Sequence, residues 1–324
     1  MTTQTAFGIR AYAGDADLGP ICELTAACEA VDKLDDNPTP TDMRMWIGMP
    51  ERDLARDTRL WEDESGRLAG FAMLLAPQDE QEASAYFYFK VHPDARDTGL
   101  PEDMLAWGEG RVREIGVERG LPPVLKPDAN EKDAYARGFL ESHGYAPVRY
   151  FFLMRRPLNE PIPEHHLPEG FTLRHIDPES DSDIERWVEM FNLSFIDHWD
   201  FHPGTVERRR YRMSSPHYNA ERDLIAVAPD GTFAGFCLCQ INPEDNERKG
   251  RNEGWIAVLG TRRGYRKIGL GRAVLLAGLH RLKADGMDVA ALGVDAENPT
   301  GALGLYELAG FEKSETEIAY RKDL

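Results

Sequence analysis

The sequence predicts a mixed α/β fold built as two similar halves in tandem, and three observations carry that prediction. Short motifs return after an interval of about 165 residues. Strand-like runs alternate with helical patterns through the second half, from Gly254 onward. Between the copies, Pro157-Leu158-Asn159-Glu160-Pro161-Ile162-Pro163 has the composition of a stiff, extended linker. A chain of 324 residues is long enough for one large domain or two of ordinary size. We place the halves at residues 1–160 and 161–324.

The repeat is read from local echoes. Phe7-Gly8-Ile9-Arg10 returns as Phe171-Thr172-Leu173-Arg174. Ala69-Gly70-Phe71 returns as Ala234-Gly235-Phe236, each after a turn (Ser65-Gly66 and Asp230-Gly231). His143-Gly144-Tyr145 returns as Ala309-Gly310-Phe311.

In the second copy, Trp255-Ile256-Ala257-Val258-Leu259 reads as a buried strand, and Arg272 to Lys283 has helical spacing. Between them lies Arg266-Lys267-Ile268-Gly269-Leu270-Gly271. Gly269 and Gly271 let the backbone bend closely around a ligand, and unpaired amides at the helix start point outward together. Such a turn suits a phosphate or pyrophosphate. Arg262, Arg263, Arg266, Lys267 and Arg272 reverse the sign of charge locally in a chain of net charge -18. A strand over Val289 to Val294 follows, then Asp295 to Pro299 and a short helix from about Thr300 to Ala309 carrying Tyr306. Gly310 sits where a left-handed cap would end that helix, and Phe311 opens a last strand towards Tyr320.

This order of strand, turn, helix, strand, Asn, Tyr and Gly-Phe resembles the GNAT superfamily of acyl-CoA-dependent N-acyltransferases, closely so over Gly254 to Leu324. The resemblance implies two GNAT-like domains, each a central, mostly antiparallel twisted sheet flanked by helices, with acetyl-CoA as co-substrate. It implies that Gly269, Leu270, Gly271 and Arg272 hold the CoA pyrophosphate, with Arg266, Lys267 and Ile268 of the same motif assigned to cofactor binding. The strand ending near Thr261 is expected to splay from its neighbour to receive the acetyl-pantetheine arm. Backbone amides of Leu259, Gly260 and Thr261 are then the donors to the oxyanion. Asn298 either bonds the pantetheine arm or caps a helix before Pro299 and Thr300. The whole-chain layout is more loosely similar to the mycothiol-synthase-like tandem group, through Asn192-Leu193-Ser194-Phe195 and Val258-Leu259-Gly260-Thr261. Where that group offers a substrate-binding lysine, this chain has Gln240.

The chemistry asks for direct attack of a deprotonated amine on the thioester, donors for the oxyanion and an acid for the departing thiolate. Tyr306 is the candidate acid, because a phenol stays protonated at neutral pH. For the base the choice stays open. Glu253 shares a face with Trp255 and is either a base acting through water or a solvated residue beside a charged loop. The alternatives lie in residues 192–202, where His198, Trp199 and Asp200 are assigned to the amine substrate. His198 and His202 have a spacing that helical zinc sites use, but Pro203 and Gly204 indicate a loop, so no metal is assigned.

The first half reads as degenerate. Its turn is Arg96-Asp97-Thr98-Gly99-Leu100-Pro101, where Pro101 has no amide hydrogen to offer and Asp97 replaces Lys267. Leu140 stands in the position of Tyr306 and has no proton to give. The acidic balance disfavours nucleic acid and anionic membrane as partners. Met1 to Thr5 lack a signal-peptide pattern, and Cys22, Cys28, Cys237 and Cys239 suggest reduced thiols in a cytoplasm. Cys237 and Cys239 are expected on opposite faces of their strand. The functional expectation is N-acetyl transfer to a small-molecule primary amine by a monomer or homodimer. Acetylation of a protein or peptide amine and non-catalytic acyl-CoA sensing are the alternatives.

Overall fold

A computed structural model describes residues 7–78 and 81–324. The expectation about Met1 to Thr5 lies outside the described residues. The chain forms two compact units, residues 1–149 with 317–324, and residues 150–316.

The first unit runs β1 (Gly8–Ala11), α1 (Leu18–Asp32), α2 (Pro40–Ile47), α3 (Leu54–Asp57), β2 (Thr58–Glu62), β3 (Leu68–Leu75) and β4 (Ala83–Val91). It continues with α4 (Leu100–Arg119), β5 (Pro123–Asn130) and α5 (Ala134–Ser142). Strand β6 (Ala146–Pro157) then leads to β7 (Thr172–His175), α6 (Asp181–Phe195), α7 (Val206–Met213), β8 (Asp223–Val227) and β9 (Phe233–Ile241). The chain ends with α8 (Pro243–Lys249), β10 (Glu253–Thr261), α9 (Leu270–Ala284), β11 (Val289–Asp295), α10 (Ala302–Leu308) and β12 (Glu312–Asp323).

In the first unit the strands run β1-β2-β3-β4-β5-β12, antiparallel throughout except for the β4–β5 pair. In the second they run β6-β11-β10-β9-β8-β7, antiparallel except for β10–β11. The compact division therefore falls elsewhere than residue 160. From Tyr150, β6 pairs with β11, whereas Glu317 onward pairs with β5. The start of the expected linker is structured too. Pro157 pairs with Val289, and the buried Leu158 donates its amide to the Asp288 carbonyl at 2.7 Å.

The repeat extends to side chains. Arg10 makes a two-pronged bond to Asp17 at 2.7 and 2.9 Å, and Arg174 does the same to Asp183 at 2.8 and 2.6 Å. Each pair ties an edge strand, β1 or β7, to the segment that begins the helix after it. In both turns a left-handed glycine, Gly99 (φ 85°) and Gly269 (φ 86°), precedes the long helix.

Helix α9 lies on one face of the second sheet, burying Val274, Leu275, Leu279 and Leu282 completely. Each such side chain contributes roughly 2 kcal/mol. Helix α6 covers the other face with Trp187, Val188 and Met190 against Ile225, Phe233 and Phe236. The expectation for Cys237 and Cys239 is overturned. Residues two apart on a strand share a face, and both thiols point at Gly278 of α9, 3.8 Å from each other.

Strand β10 carries a bulge between Ile256 and Val258. Before it, Gly254 and Ile256 face α9; after it, Val258 and Gly260 face α6, so Leu259 and Thr261 face α9 instead. One extra residue thus re-aims the end of the strand that follows. At Gly260 the approach is close enough that a methyl group would lie 2.5 Å from the Phe236 ring and 3.0 Å from Ser194 Cβ.

Candidate active site

The parallel pairing of β10 with β11 is confined to three positions, Glu253↔Val289, Gly254↔Ala290 and Trp255↔Ala291. Beyond Trp255 the strands part: β10 stays with β9 as far as Thr261, and β11 stays with β6 as far as Asp295. A wedge therefore opens between Ile256–Thr261 and Leu292–Asp295. Parting strands leave backbone polar groups of β10 facing the gap, a natural place for an extended amide-bearing arm.

The wedge leads into the turn of residues 262–269. Lys267 (φ 64°), Gly264 (φ 98°) and Gly269 (φ 86°) all have left-handed backbones. No side chain caps α9, so its first amides stay open towards an anion. Leu270 anchors the helix start in the core, and Gly271 passes so close to β10 that a methyl group would lie 3.1 Å from Thr261 Oγ1. The cations of the turn divide into two sets. Arg262 bonds Glu189 at 2.9 Å, and Arg263 bonds Asp197. Arg266 bonds Asp197 at 2.7 Å, the Ser194 carbonyl at 2.7 Å and the Thr261 carbonyl at 3.2 Å. These three brace the turn against the end of α6. Lys267 and Arg272 are exposed and remain available to a ligand, with Ile268 half-exposed beside them.

Helix α10 ends as the sequence predicts. Gly310 (φ 87°) donates to the Glu307 carbonyl at 2.9 Å, and Phe311 donates to the Tyr306 carbonyl at 3.0 Å. This paired closure fixes Tyr306, one turn back. Its ring is buried, edge-on to Phe311 at 6.0 Å. Burial, reinforced by the nearby Cys237, pushes the phenol well above its usual range. Cys237 is the register partner of Leu259, so Tyr306 sits on the α9 face level with the end of the wedge. Asn298 Oδ1 accepts from the Thr300 amide at 2.9 Å and its hydroxyl at 2.6 Å, which closes the turn before α10.

Residues 196–204 follow α6 as a loop, in which His202 Nε2 lies 3.6 Å from Asp200 Oδ1. Asp200 holds a positive φ of 53°. Trp199 packs on Phe151 with ring centroids 6.0 Å apart, and Phe151 pairs with Asp295 at the end of β11. His198 is half-buried, its ring 4.6 Å from that of Phe195. Burial holds its imidazole below the ordinary value, with Asp295 opposing and Arg266 adding to the effect. Among the described residues no group of His, Cys, Asp and Glu could hold a metal ion. Sequence reasoning missed Phe151, which carries no motif of its own and matters through its partner, and it gave Ser194 and Asp197 no role beyond membership of the 192–202 segment.

Glu253 is not brought together with the others. It is buried at the start of β10, bonded by Arg155 at 2.8 Å and paired with Arg251 at 3.1 Å, while Asn246 brackets its backbone. It precedes the splay and lies about 20 Å along the strand from Leu259, at a rise of about 3.3 Å per residue. Glu253 is thus held in a buried ion pair, and the alternative of a solvated residue beside the charged loop is corrected. Glu253→Gln leaves two cations less well matched and costs about 2 kcal/mol in urea unfolding; the acid limb of any rate profile stays in place. A cleft of about 620 Å³ opens nearby, but its Arg222 is already bonded to Asp285 at 2.7 Å, and it lies at the closed end of the sheet.

The Acetyltransferase (GNAT) family model matches residues 184–311, from α6 to the close of α10. A mycothiol acetyltransferase of Thermobispora bispora is 32% identical over 259 residues, covering 80% of this chain and 81% of that protein. One from Salinispora arenicola is also 32% identical, covering 79% and 78%. Among solved structures, a GCN5-related N-acetyltransferase from Sphaerobacter thermophilus superposes with a TM-score of 0.73 at 28% identity, covering 98% of this chain and 95% of that one. A tandem GNAT protein from the clavulanic acid biosynthesis pathway shares the fold, with a TM-score of 0.70 at 16% identity. With the splayed strands, the left-handed turn and the capped tyrosine helix in one unit, the chain belongs to the GNAT acetyltransferases and is an acyltransferase of tandem GNAT architecture.

Proposed function

We propose that the protein transfers the acetyl group of acetyl-CoA to the primary amine of a small molecule, by direct attack in its second unit. The observation that carries this reading is the three-position pairing of β10 with β11, which opens a wedge leading straight into the Gly269 turn. In this reading Gly269, Leu270, Gly271 and Arg272 present amides and charge to the pyrophosphate, joined by Lys267 and the flank of Ile268. Arg266 acts behind them as a brace. Open backbone groups around Leu259, Gly260 and Thr261 hold the thioester carbonyl and its oxyanion, and Tyr306 supplies the proton to sulfur. Asn298 shapes the turn under the pantetheine arm. His198, Trp199 and Asp200 line the approach of the amine.

The mycothiol acetyltransferase relatives make the amine precursor of mycothiol a first acceptor to test, although Gln240 departs from the lysine expected there. None of Cys22, Cys28, Cys237 and Cys239 forms a disulfide, which fits a cytoplasmic setting.

Thiol release from acetyl-CoA, followed with that precursor, other aminosugars and peptides with free N-termini, tests the assignment. Turnover with a small amine and saturable CoA binding in calorimetry are expected. Turnover with peptides alone overturns the acceptor class, and the absence of CoA binding overturns the whole reading.

A further inference from the structure

Glu253 lies in a buried ion pair ahead of the splay, so the group that takes the amine's proton is sought at the wedge itself, in the segment 192–202. The loop after α6 is fastened on both sides of the wedge. On one side Asp197 holds Arg263 and Arg266, in the turn that directly continues β10. On the other, Trp199 packs on Phe151, the register partner of Asp295 where β11 ends. The residue between those two fastenings is His198. Its imidazole is near enough to Arg266 of the turn and to Asp295 at the end of β11 for both charges to act on it, at the level where α6 presses Ser194 against Gly260.

We propose that His198 is the general base of the acetyl transfer, with its imidazole oriented towards the wedge by the Asp197 and Trp199 fastenings on either side. This rests on the acetyl-transfer reading above. The amine arrives as an ammonium and gives its first proton to the imidazole, which passes it to solvent. The nitrogen lone pair then forms the C–N bond, and the carbonyl π pair moves to oxygen. When the oxyanion collapses, the C–S bond breaks and the sulfur takes the Tyr306 proton. The second nitrogen proton, released as the amide forms, restores the phenol. Three ammonium protons are thus accounted for: one reaches solvent, one replaces that of Tyr306 and one stays on the amide.

The charged groups around the imidazole are Asp197 on its own loop, Asp295 of β11 and Arg266 of the turn. Their effects partly cancel, and burial tips the balance towards the neutral ring. A neutral imidazole is the form a base must have, so activity rises with pH through a midpoint below the ordinary histidine value and is then flat.

The test uses the full chain with the best amine of the panel. His198→Gln is expected to lower kcat by about 100-fold and to remove the acidic limb of the pH profile, while calorimetry finds CoA affinity unchanged within twofold. Added imidazole is expected to recover part of the activity of His198→Ala, which a merely structural histidine does not allow. A His198→Gln enzyme within threefold of the parent overturns the proposal. So does an acidic limb that persists in the variant, or the absence of any imidazole rescue. Failure of the underlying reading is told apart by the unsubstituted protein, which would then neither bind CoA nor release thiol.

Discussion

Tyr306→Phe is expected to lower kcat by about 100- to 1000-fold while CoA affinity stays within twofold. The magnitude is that of one positioned proton donor. The substitution removes a single oxygen, and Phe keeps the ring that packs edge-on against Phe311, so the fold should not change. The direction of the phenol's shift adds a mechanistic constraint. Burial raises its pKa far above that of a thiol, ordinarily about 8.5. The group is therefore fully protonated at working pH, but giving up that proton to a thiolate is uphill by itself. The transfer becomes favourable when the forming amide nitrogen, a much stronger acid, returns a proton in the same passage. A solvent isotope effect on kcat in the parent, lost in Tyr306→Phe, is the measurement that reads this coupling. Unchanged kcat in the variant removes Tyr306 from the mechanism.

The features legible in the sequence are those governed by short-range backbone rules. Gly269 and Gly310 mark left-handed positions that other residues adopt only at a cost, so the turn and the helix end can be placed from spacing alone. The Arg10 and Arg174 echoes mark a repeat that proves to include their aspartate partners. The bulge at Ile256–Val258 was not legible, because Trp255 to Leu259 is apolar throughout and has no alternation to reveal a slipped register. Nor was the pairing of Glu317 onward with β5, which joins segments far apart in the chain. The buried ion pair of Glu253 was hidden for a related reason. A carboxylate beside an active strand has the same sequence signature whether it faces the wedge or a pair of arginines. Arg266 illustrates the point again, since only the fold reveals that its guanidinium is committed to Asp197 and two carbonyls.

Because the cations of the turn fall into two sets, charge reversal separates their roles. Lys267→Glu with Arg272→Glu is expected to weaken CoA binding by about 100- to 1000-fold at low salt. Each reversal removes a charge-assisted contact to the pyrophosphate and adds a repulsion, about 1.5–2 kcal/mol together, so the pair sums to roughly 3–4 kcal/mol. Both side chains are exposed, so thermal unfolding should move little. The loss should shrink as salt rises, because dissolved ions weaken attractions and repulsions between exposed charges. Arg266→Gln is expected to behave differently. It releases Asp197 and the Ser194 carbonyl, so the end of α6 loosens and stability falls. Acceptor KM then rises more than CoA affinity falls, with little dependence on salt. Calorimetry at two ionic strengths distinguishes the patterns. If Arg266→Gln instead reproduced the salt-dependent loss of the double reversal, its side chain would leave Asp197 to meet the pyrophosphate. The division between binding and bracing cations would then be wrong.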